Sequence, residues 1–134
     1  MKNSKTFLIA DDDPDDRELF IEALKEIDGS SICITASDGQ DALRQLQDTL
    51  TIFPDFIFLD LNMPLLNGAE CLAEIKKNKE LGHIPVIIYS TSAEKRDIDY
   101  TSTLGAAYFL QKPNRFEDLR TALADILSRT WDGK

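Results

Sequence analysis

The chain has 134 residues, of which 43% are hydrophobic and 29% are charged, and its formal net charge is −9. This length suits one domain with a single sizeable core. The acidic excess argues against direct binding of nucleic acid or of an anionic membrane, and it suits a cation or a basic protein partner. No apolar run approaches the ~20 residues that a membrane span needs, and the N-terminal apolar run is too short for a signal peptide. We therefore expect a cytoplasmic protein with one domain, residues 1–134, and no membrane association.

Short apolar runs alternate with helical patterns along the whole chain. The predicted strands are residues 6–10, 32–36, 56–61, 86–90 and 107–111. A helical pattern follows each of these strands. This alternation predicts right-handed crossovers and a parallel sheet in an α/β fold.

Capping residues mark the starts of several predicted helices. Asp13 is a good N-cap for the first helix. The third helix is predicted to start at Asn67, because Glu70 three positions later completes a capping-box pattern. The same pattern at Asn114 and Glu117 predicts the start of the fifth helix.

The second and fourth helices differ in the strength of their signals. Leu43, Leu46 and Leu50 predict one apolar stripe on the second helix. The fourth helix, roughly residues 94–104, is poor in strong helix formers. We expect it to be less stable than its neighbours, as suits an element that moves.

Asp60 directly follows the apolar run of the third strand. An unpaired carboxylate is costly to bury within a strand, but at a strand's end it can emerge at the rim of a sheet, where α/β proteins place their chemistry. A lone aspartate there is more often a turn residue or a helix cap. The ends of the neighbouring strands therefore decide how Asp60 is interpreted.

Polar side chains end four of the five predicted strands. They are Asp11, Asp12 and Asp13 after the first strand, Asp60 after the third, Ser90, Thr91 and Ser92 at the fourth, and Lys112 after the fifth. Because parallel strands point their carboxyl ends the same way, these groups should meet at one edge. Each has its own structural explanation, as a charge at a helix start, a cap or a solvated strand end. Their coincidence at one edge favours a functional site.

This combination of groups suits phosphoryl transfer. Three carboxylates at one edge repel each other unless a cation neutralises them, and oxygen ligands without His or Cys suit Mg²⁺. The cation and Lys112 would offset the charge of a phosphoryl group, and a hydroxyl would donate to its oxygens. An aspartate carboxylate can accept such a group as an acyl phosphate.

The chain resembles the receiver domain of two-component response regulators over essentially its whole length. The matching segments are residues 7–13 (FLIADDD), 58–64 (FLDLNMP), 67–68 (NG), 84–90 (IPVIIYS), 105–106 (GA) and 112–113 (KP). The resemblance implies a flavodoxin-like (βα)5 fold, with a doubly wound five-stranded parallel sheet in the order 2-1-3-4-5. It also implies a phosphorylation-dependent signalling switch, charged by the phosphohistidine of a sensor histidine kinase.

The resemblance assigns expected roles to the acidic residues. Asp60 corresponds to the phosphoacceptor, which becomes 4-aspartylphosphate. Mg²⁺, or Mn²⁺, would be held directly by Asp12 and Asp60, and by Asp11 mainly through water. The backbone carbonyl of Asn62 would complete the coordination.

The resemblance also assigns the switching residues. Ser90 corresponds to the switch hydroxyl because its spacing to the later Gly-Ala motif is the family's, and Thr91 is the alternative. Lys112 corresponds to the lysine that pairs with the phosphoryl oxygen, and Phe109 to the aromatic that turns inward on activation. The Lys112–Pro113 peptide bond is usually cis in this family. The implied output is a conformational change at helix four, strand five and helix five.

Several functions stay open within this interpretation. The switch could signal to a downstream protein, pass its phosphoryl group to a phosphotransfer protein, or act as a phosphate sink, and a homodimer is also open. The three consecutive hydroxyls and the long loop 78–85 resemble a stand-alone subgroup, some of whose members serve phytochrome-type kinases. Such a domain is not an enzyme, although it assists its own phosphorylation and autodephosphorylation.

Rival functions are disfavoured by particular residues. A magnesium phosphohydrolase with an aspartate nucleophile often has a second carboxylate to protonate the leaving group, and Asn62 stands at that position. A flavin or nucleotide binder would need a Gly/Ser/Thr-rich loop after the first strand, where three acids stand instead. A receiver-like protein that binds partners without phosphorylation would not need the complete acidic, hydroxyl and lysine set.

Overall fold

A computed structural model describes residues 5–48, 53–129 and 131. Within these residues, five strands alternate with five helices. In chain order they are β1 (Thr6–Ala10), α1 (Pro14–Ile27), β2 (Ile32–Ala36), α2 (Gly39–Gln47), β3 (Phe56–Leu59), α3 (Gly68–Lys77), β4 (Val86–Ser90), α4 (Lys95–Thr103), β5 (Tyr108–Gln111) and α5 (Phe116–Ser128). None of these helices is long and apolar enough to cross a membrane.

The strands form one parallel sheet in the order β2-β1-β3-β4-β5. The predicted α/β flavodoxin-like fold and its strand order are therefore confirmed. Every residue of the central strands β1, β3 and β4 is buried, because helices cover both faces of the sheet. The parallel arrangement brings the carboxyl ends of all five strands to one edge.

Two apolar cores lie on opposite faces of the sheet, because successive strand residues point to opposite faces. One core joins alternate strand residues such as Leu8 to buried residues of α2 and α3, including Leu46 and Leu72. The other core joins the intervening strand residues to α1 and α5. There the Phe20 ring of α1 packs edge-on against Phe58 of β3, with ring centroids 4.8 Å apart.

Two predicted capping boxes had different outcomes. The one at α3 is confirmed, because Asn67 accepts a bond from the Glu70 N–H while the Glu70 carboxylate accepts one from the Asn67 N–H. The one at α5 is wrong, because Arg115 occupies the N-cap position and makes no capping side-chain bond. The carboxylate of Glu117, which the box would need, pairs with Arg115 at 3.0 Å instead.

Two strand boundaries and one peptide bond also differ from expectation. β3 ends at Leu59 rather than at residue 61, because the Asp60 side chain accepts the Asn62 N–H and turns the chain there. β5 begins at Tyr108, one residue late. The structure contains no cis peptide bond among the described residues, so the expected cis bond at Lys112–Pro113 is wrong. The trans isomer is the intrinsically favoured form of an X-Pro bond.

The second and fourth helices are both present in the structure. Leu46 is buried on α2 and Leu43 is half-buried, whereas Leu50 lies outside the described residues. In α4 the N-cap residue Glu94 makes no capping bond, and Thr101 is the helix's one buried residue. The lower stability of α4 stays a prediction.

Candidate functional site

Asp60 lies just beyond the end of β3 and is only 6% exposed. Its backbone N–H donates to the carbonyl of Ala10 at 3.0 Å, which ties it to the end of β1. Its Oδ1 accepts the N–H of the exposed residue Asn62 at 3.3 Å. The start of α3 packs directly behind it, since a Cβ atom at Gly68 would lie 2.3 Å from the Asp60 carbonyl oxygen. Glycine at position 68 therefore allows the approach that fixes the Asp60 backbone.

Asp11 ends β1 beside Asp60 and is fully buried. Its N–H donates to the Ala36 carbonyl at 3.0 Å, and its Oδ1 accepts the Asp13 N–H at 3.0 Å. The next residue, Asp12, is exposed. The end of β1 thus presents one carboxylate that is fixed inside the protein and one that reaches solvent.

Lys112 follows β5 and points its ammonium group into this cluster. Its Nζ lies 2.8 Å from Asp11 Oδ2, 2.8 Å from Asp16 Oδ2 and 3.2 Å from Asp60 Oδ2. The Lys112 side chain is 8% exposed, and its Nζ lies 5.3 Å from the centre of the Tyr89 ring. One nearly buried cation is therefore shared by three carboxylates.

The surroundings shift the pKa values of the two most buried charges. Burial raises the pKa of Asp11 from 3.8 to about 6, although contacts with Lys112 and the Asp13 N–H act in the opposite direction. Burial lowers the pKa of Lys112, but its bonds to Asp11 and Asp16 and the nearby Asp60 charge outweigh this and raise it overall. At neutral pH the cluster therefore holds a lysine that stays protonated among carboxylates.

The acidic residues have the geometry and the chemistry to hold a divalent cation. Asp11, Asp12 and Asp60 each offer a carboxylate oxygen, and these oxygens lie within 4.8 Å of one another. Oxygen ligands without sulfur or imidazole suit hard cations such as Mg²⁺ or Mn²⁺. The predicted acidic set is thus brought together and fits such an ion.

The predicted switch residues lie on the two strands beside this cluster. Ser90 is fully buried at the end of β4, where its hydroxyl accepts the Ser92 N–H at 3.2 Å. Its carbonyl accepts the backbone N–H of Lys112 at 2.7 Å, which ties the ends of β4 and β5 together. Thr91 is exposed, and Phe109 is half-buried on β5. Burial at the strand end therefore distinguishes Ser90 from Thr91.

The sequence interpretation did not include Asp16. This residue lies in the first turn of α1, and it also lines an open groove of about 560 Å³ beside Lys112. The sequence did carry one signal for Asp16. The helix that follows β1 must begin at the edge of the sheet where the strands end, so an acid in its first turn can reach a cation at that edge. Two acids, Asp15 and Asp16, share that turn, however, and the sequence does not select between them.

Comparisons with known proteins identify relatives of this chain. The sequence model of the response regulator receiver domain matches residues 7–124. The transcriptional regulatory protein MalR of Bacillus subtilis is 39% identical over 118 residues, which are 88% of this chain and 48% of MalR. The response regulator Rcp1 of Synechocystis sp. is 34% identical over 119 residues, which are 86% of this chain and 81% of Rcp1. The chain thus spans about half the length of MalR.

Two solved structures have the same fold. The crystal structure of the Mn²⁺-bound form of Rcp1 superposes with a TM-score of 0.83 at 34% identity, covering 92% of both chains. The structure of the phosphorylated cyanobacterial phytochrome response regulator RcpA superposes with a TM-score of 0.86 at 31% identity. That match covers 92% of this chain and 91% of RcpA.

Proposed function

Because the chain belongs to the response regulator receiver domain family, whose members are phosphorylated on an aspartate, we propose that its phosphoacceptor is Asp60. The carrying observation is the contact of Lys112 with both Asp60 and the buried Asp11, at 3.2 Å and 2.8 Å. This contact supports the proposal, because the Lys112 ammonium group would offset the charge of a phosphoryl group on Asp60. We infer a phosphorylation switch that a sensor histidine kinase charges.

In the proposed transfer, one Asp60 carboxylate oxygen attacks the phosphorus of the donor's phosphohistidine. A P–O bond forms on Asp60 while the P–N bond breaks, and its electron pair returns to the donor imidazole. Lys112 donates to a phosphoryl oxygen. Mg²⁺ or Mn²⁺ held by Asp11, Asp12, Asp60 and the Asn62 carbonyl would offset the phosphoryl charge. The Mn²⁺-bound relative Rcp1 supports this part of the proposal.

The proposed output is a shift in the populations of two conformations. The phosphoryl group draws the Ser90 hydroxyl toward it, and Phe109 turns into the space that Ser90 leaves. These movements change the surface of α4, β5 and α5, which a downstream protein or a phosphotransfer protein then reads. Water resets the switch by attacking phosphorus, which breaks the P–O bond and returns the Asp60 carboxylate and phosphate.

The relatives suggest which kinase to test first. RcpA is described as a phytochrome response regulator, and the chain is 31% identical to it. A phytochrome-type histidine kinase is therefore our first proposed donor. The net charge of −9 favours a protein partner with a basic surface over nucleic acid.

The test is covalent labelling of Asp60. Wild-type protein incubated with radiolabelled acetyl phosphate and Mg²⁺ should acquire a base-labile label, which a chelator should prevent. Asp60→Asn should acquire none while keeping its far-ultraviolet circular dichroism, because the amide cannot form the acyl phosphate. Asp15→Asn is the matched control at an exposed acid and should label normally. Full labelling of Asp60→Asn would overturn the proposal.

A further inference from the structure

Asp16 is a third carboxylate partner of Lys112. It belongs to α1, 96 residues away in the chain, and its Oδ2 lies 2.8 Å from the lysine Nζ. The side chain of Asp16 is 30% exposed, whereas that of Asp11 is fully buried. The contact is therefore a long-range tie between α1 and the end of β5.

Lys112 has as many carboxylate contacts as its ammonium group has N–H donors. A lysine ammonium carries three N–H donors and no acceptor. The distances of 2.8, 2.8 and 3.2 Å to Asp11, Asp16 and Asp60 show that the longest contact is the one to Asp60. Asp16 therefore lies as close to the Lys112 ammonium as the buried Asp11 does, and closer than the proposed phosphoacceptor Asp60.

The charge of Asp16 also acts on whatever binds Asp60. A phosphoryl group carries about −1.5 to −2 charge near neutral pH, so another carboxylate on the same lysine repels it. On the basis of the proposed function, we propose that Asp16 is a positioning residue for Lys112 that weakens the hold of the site on the phosphoryl group. The switch would then release its phosphate more readily than a site with two acids around the lysine.

Asp16→Asn tests this directly, with Asp15→Asn as the matched control. Both positions lie in the first turn of α1 and lose one charge there, but Asp15 is exposed and only Asp16 contacts Lys112 in the described structure. The probe is beryllofluoride, a phosphoryl mimic, titrated with saturating Mg²⁺ and followed by fluorine NMR. Asp16→Asn should bind it about fivefold more tightly, because a nearby like charge is gone. Asp15→Asn should bind as wild type does.

Two further measurements distinguish an effect of the Asp16 charge from an effect of altered structure at this position. Asp16→Glu retains the charge and should restore the wild-type affinity. The gain in Asp16→Asn should shrink in concentrated sodium chloride, because a partly exposed charge is screened. Asp16→Ser repeats the test if the asparagine variant unfolds.

The outcomes distinguish this inference from the proposed function. If folded wild-type protein binds no beryllofluoride, the proposed function fails and this inference fails with it. If wild type binds but Asp16→Asn matches Asp15→Asn or binds more weakly, only the role of Asp16 is overturned. A salt-independent gain would also overturn the electrostatic role of Asp16.

Discussion

At the scale of single residues, one nearly buried lysine, Lys112, is shared among Asp11, Asp16 and Asp60. If the Asp11 charge is removed, Lys112 keeps two carboxylate partners, Asp16 at 2.8 Å and Asp60 at 3.2 Å, so its own charge stays compensated. Since burial raises the Asp11 pKa only to about 6, that carboxyl is ionised at neutral pH, but at a cost in folding free energy. The buried charge of Asp11 therefore lowers the stability of the folded protein.

We predict that Asp11→Asn stabilises the protein at pH 7 when a chelator removes divalent cations. The ordinary pKa of an aspartate side chain is 3.8, whereas the pKa of Asp11 in the folded protein is about 6, so the folded state holds this proton more tightly. The Asp11 contribution therefore lowers stability as the pH rises from about 4 to about 6, and the full cost remains above that range. Urea unfolding should show a gain of about 1–3 kcal/mol at pH 7 and no gain below pH ~4.

Asp12→Asn is the control for this prediction. It removes the same charge from an exposed neighbour, so it separates the effect of burial from that of net charge. Equal gains in both variants would show that net charge alone controls stability. A loss of stability in Asp11→Asn at pH 7 would contradict the prediction itself.

The sequence predicts some of these residues better than others. Asp11 and Asp60 follow fully buried strands and Lys112 follows the half-buried strand β5, and the parallel sheet then brings them to one edge whatever the details of packing. Asp16 lies on a helix, where the side chain that reaches the lysine depends on how α1 is placed on the sheet. That placement results from packing such as Phe20 against Phe58, which periodicity alone does not specify.

At the scale of elements, α4 is held by fewer interactions than its neighbours. Its one buried residue is Thr101, whereas α5 buries Leu119, Leu123 and Ile126. The Thr101 hydroxyl donates to the Asp97 carbonyl of its own helix at 2.8 Å rather than to another element. Few buried contacts favour local opening, which is what the proposed switch requires of α4.

We predict that Glu94→Ser slows amide hydrogen exchange in α4 by about fivefold. Glu94 occupies the N-cap without a side-chain bond, and serine there can accept one from the first turn, which is worth about 1 kcal/mol. Native-state exchange followed by NMR measures this, with the amides of α5 as the internal reference. Glu94→Gln is the control, because it loses the same charge and the same pairing with Arg96 without gaining a cap. Equal exchange in the two variants would contradict the prediction.

Helix starts show the limits of sequence rules at this scale. The box at Asn67 was predicted correctly, because the side chains that cap the helix are close in sequence and have no competing partner in the described structure. At α5 the same Asn-x-x-Glu pattern does not form a capping box, since Arg115 pairs with Glu117 and Asp118, at 3.0 and 4.0 Å. A local pattern predicts a cap only where neighbouring charges leave its residues available.

At the scale of the whole molecule, the sheet separates two ends with different chemistry. The carboxyl ends of the strands gather the acids and Lys112, whereas the opposite end holds Trp131, whose ring packs on Phe56 at 6.3 Å. The alternation of strands and helices was sufficient to predict that all strands end on the same side of the sheet, because right-handed crossovers between strands make the sheet parallel. The fold was therefore predictable even where individual boundaries and caps were not.

We predict that Trp131, the chain's one tryptophan, reports unfolding but not the state of Asp60. Phe56 begins β3 and Asp60 follows its end, so the strand separates them by roughly 13 Å. Tryptophan fluorescence should therefore stay constant when Mg²⁺ and beryllofluoride are added and should change when urea unfolds the protein. Leu61→Trp is the positive control, because it adds an indole next to Asp60 that should respond to both ligands. A ligand-dependent signal in the wild-type protein would contradict this prediction, and it would mean that the proposed change in α5 extends to the C-terminal end of that helix, where the Trp131 ring N–H donates to the Ile126 carbonyl at 2.9 Å.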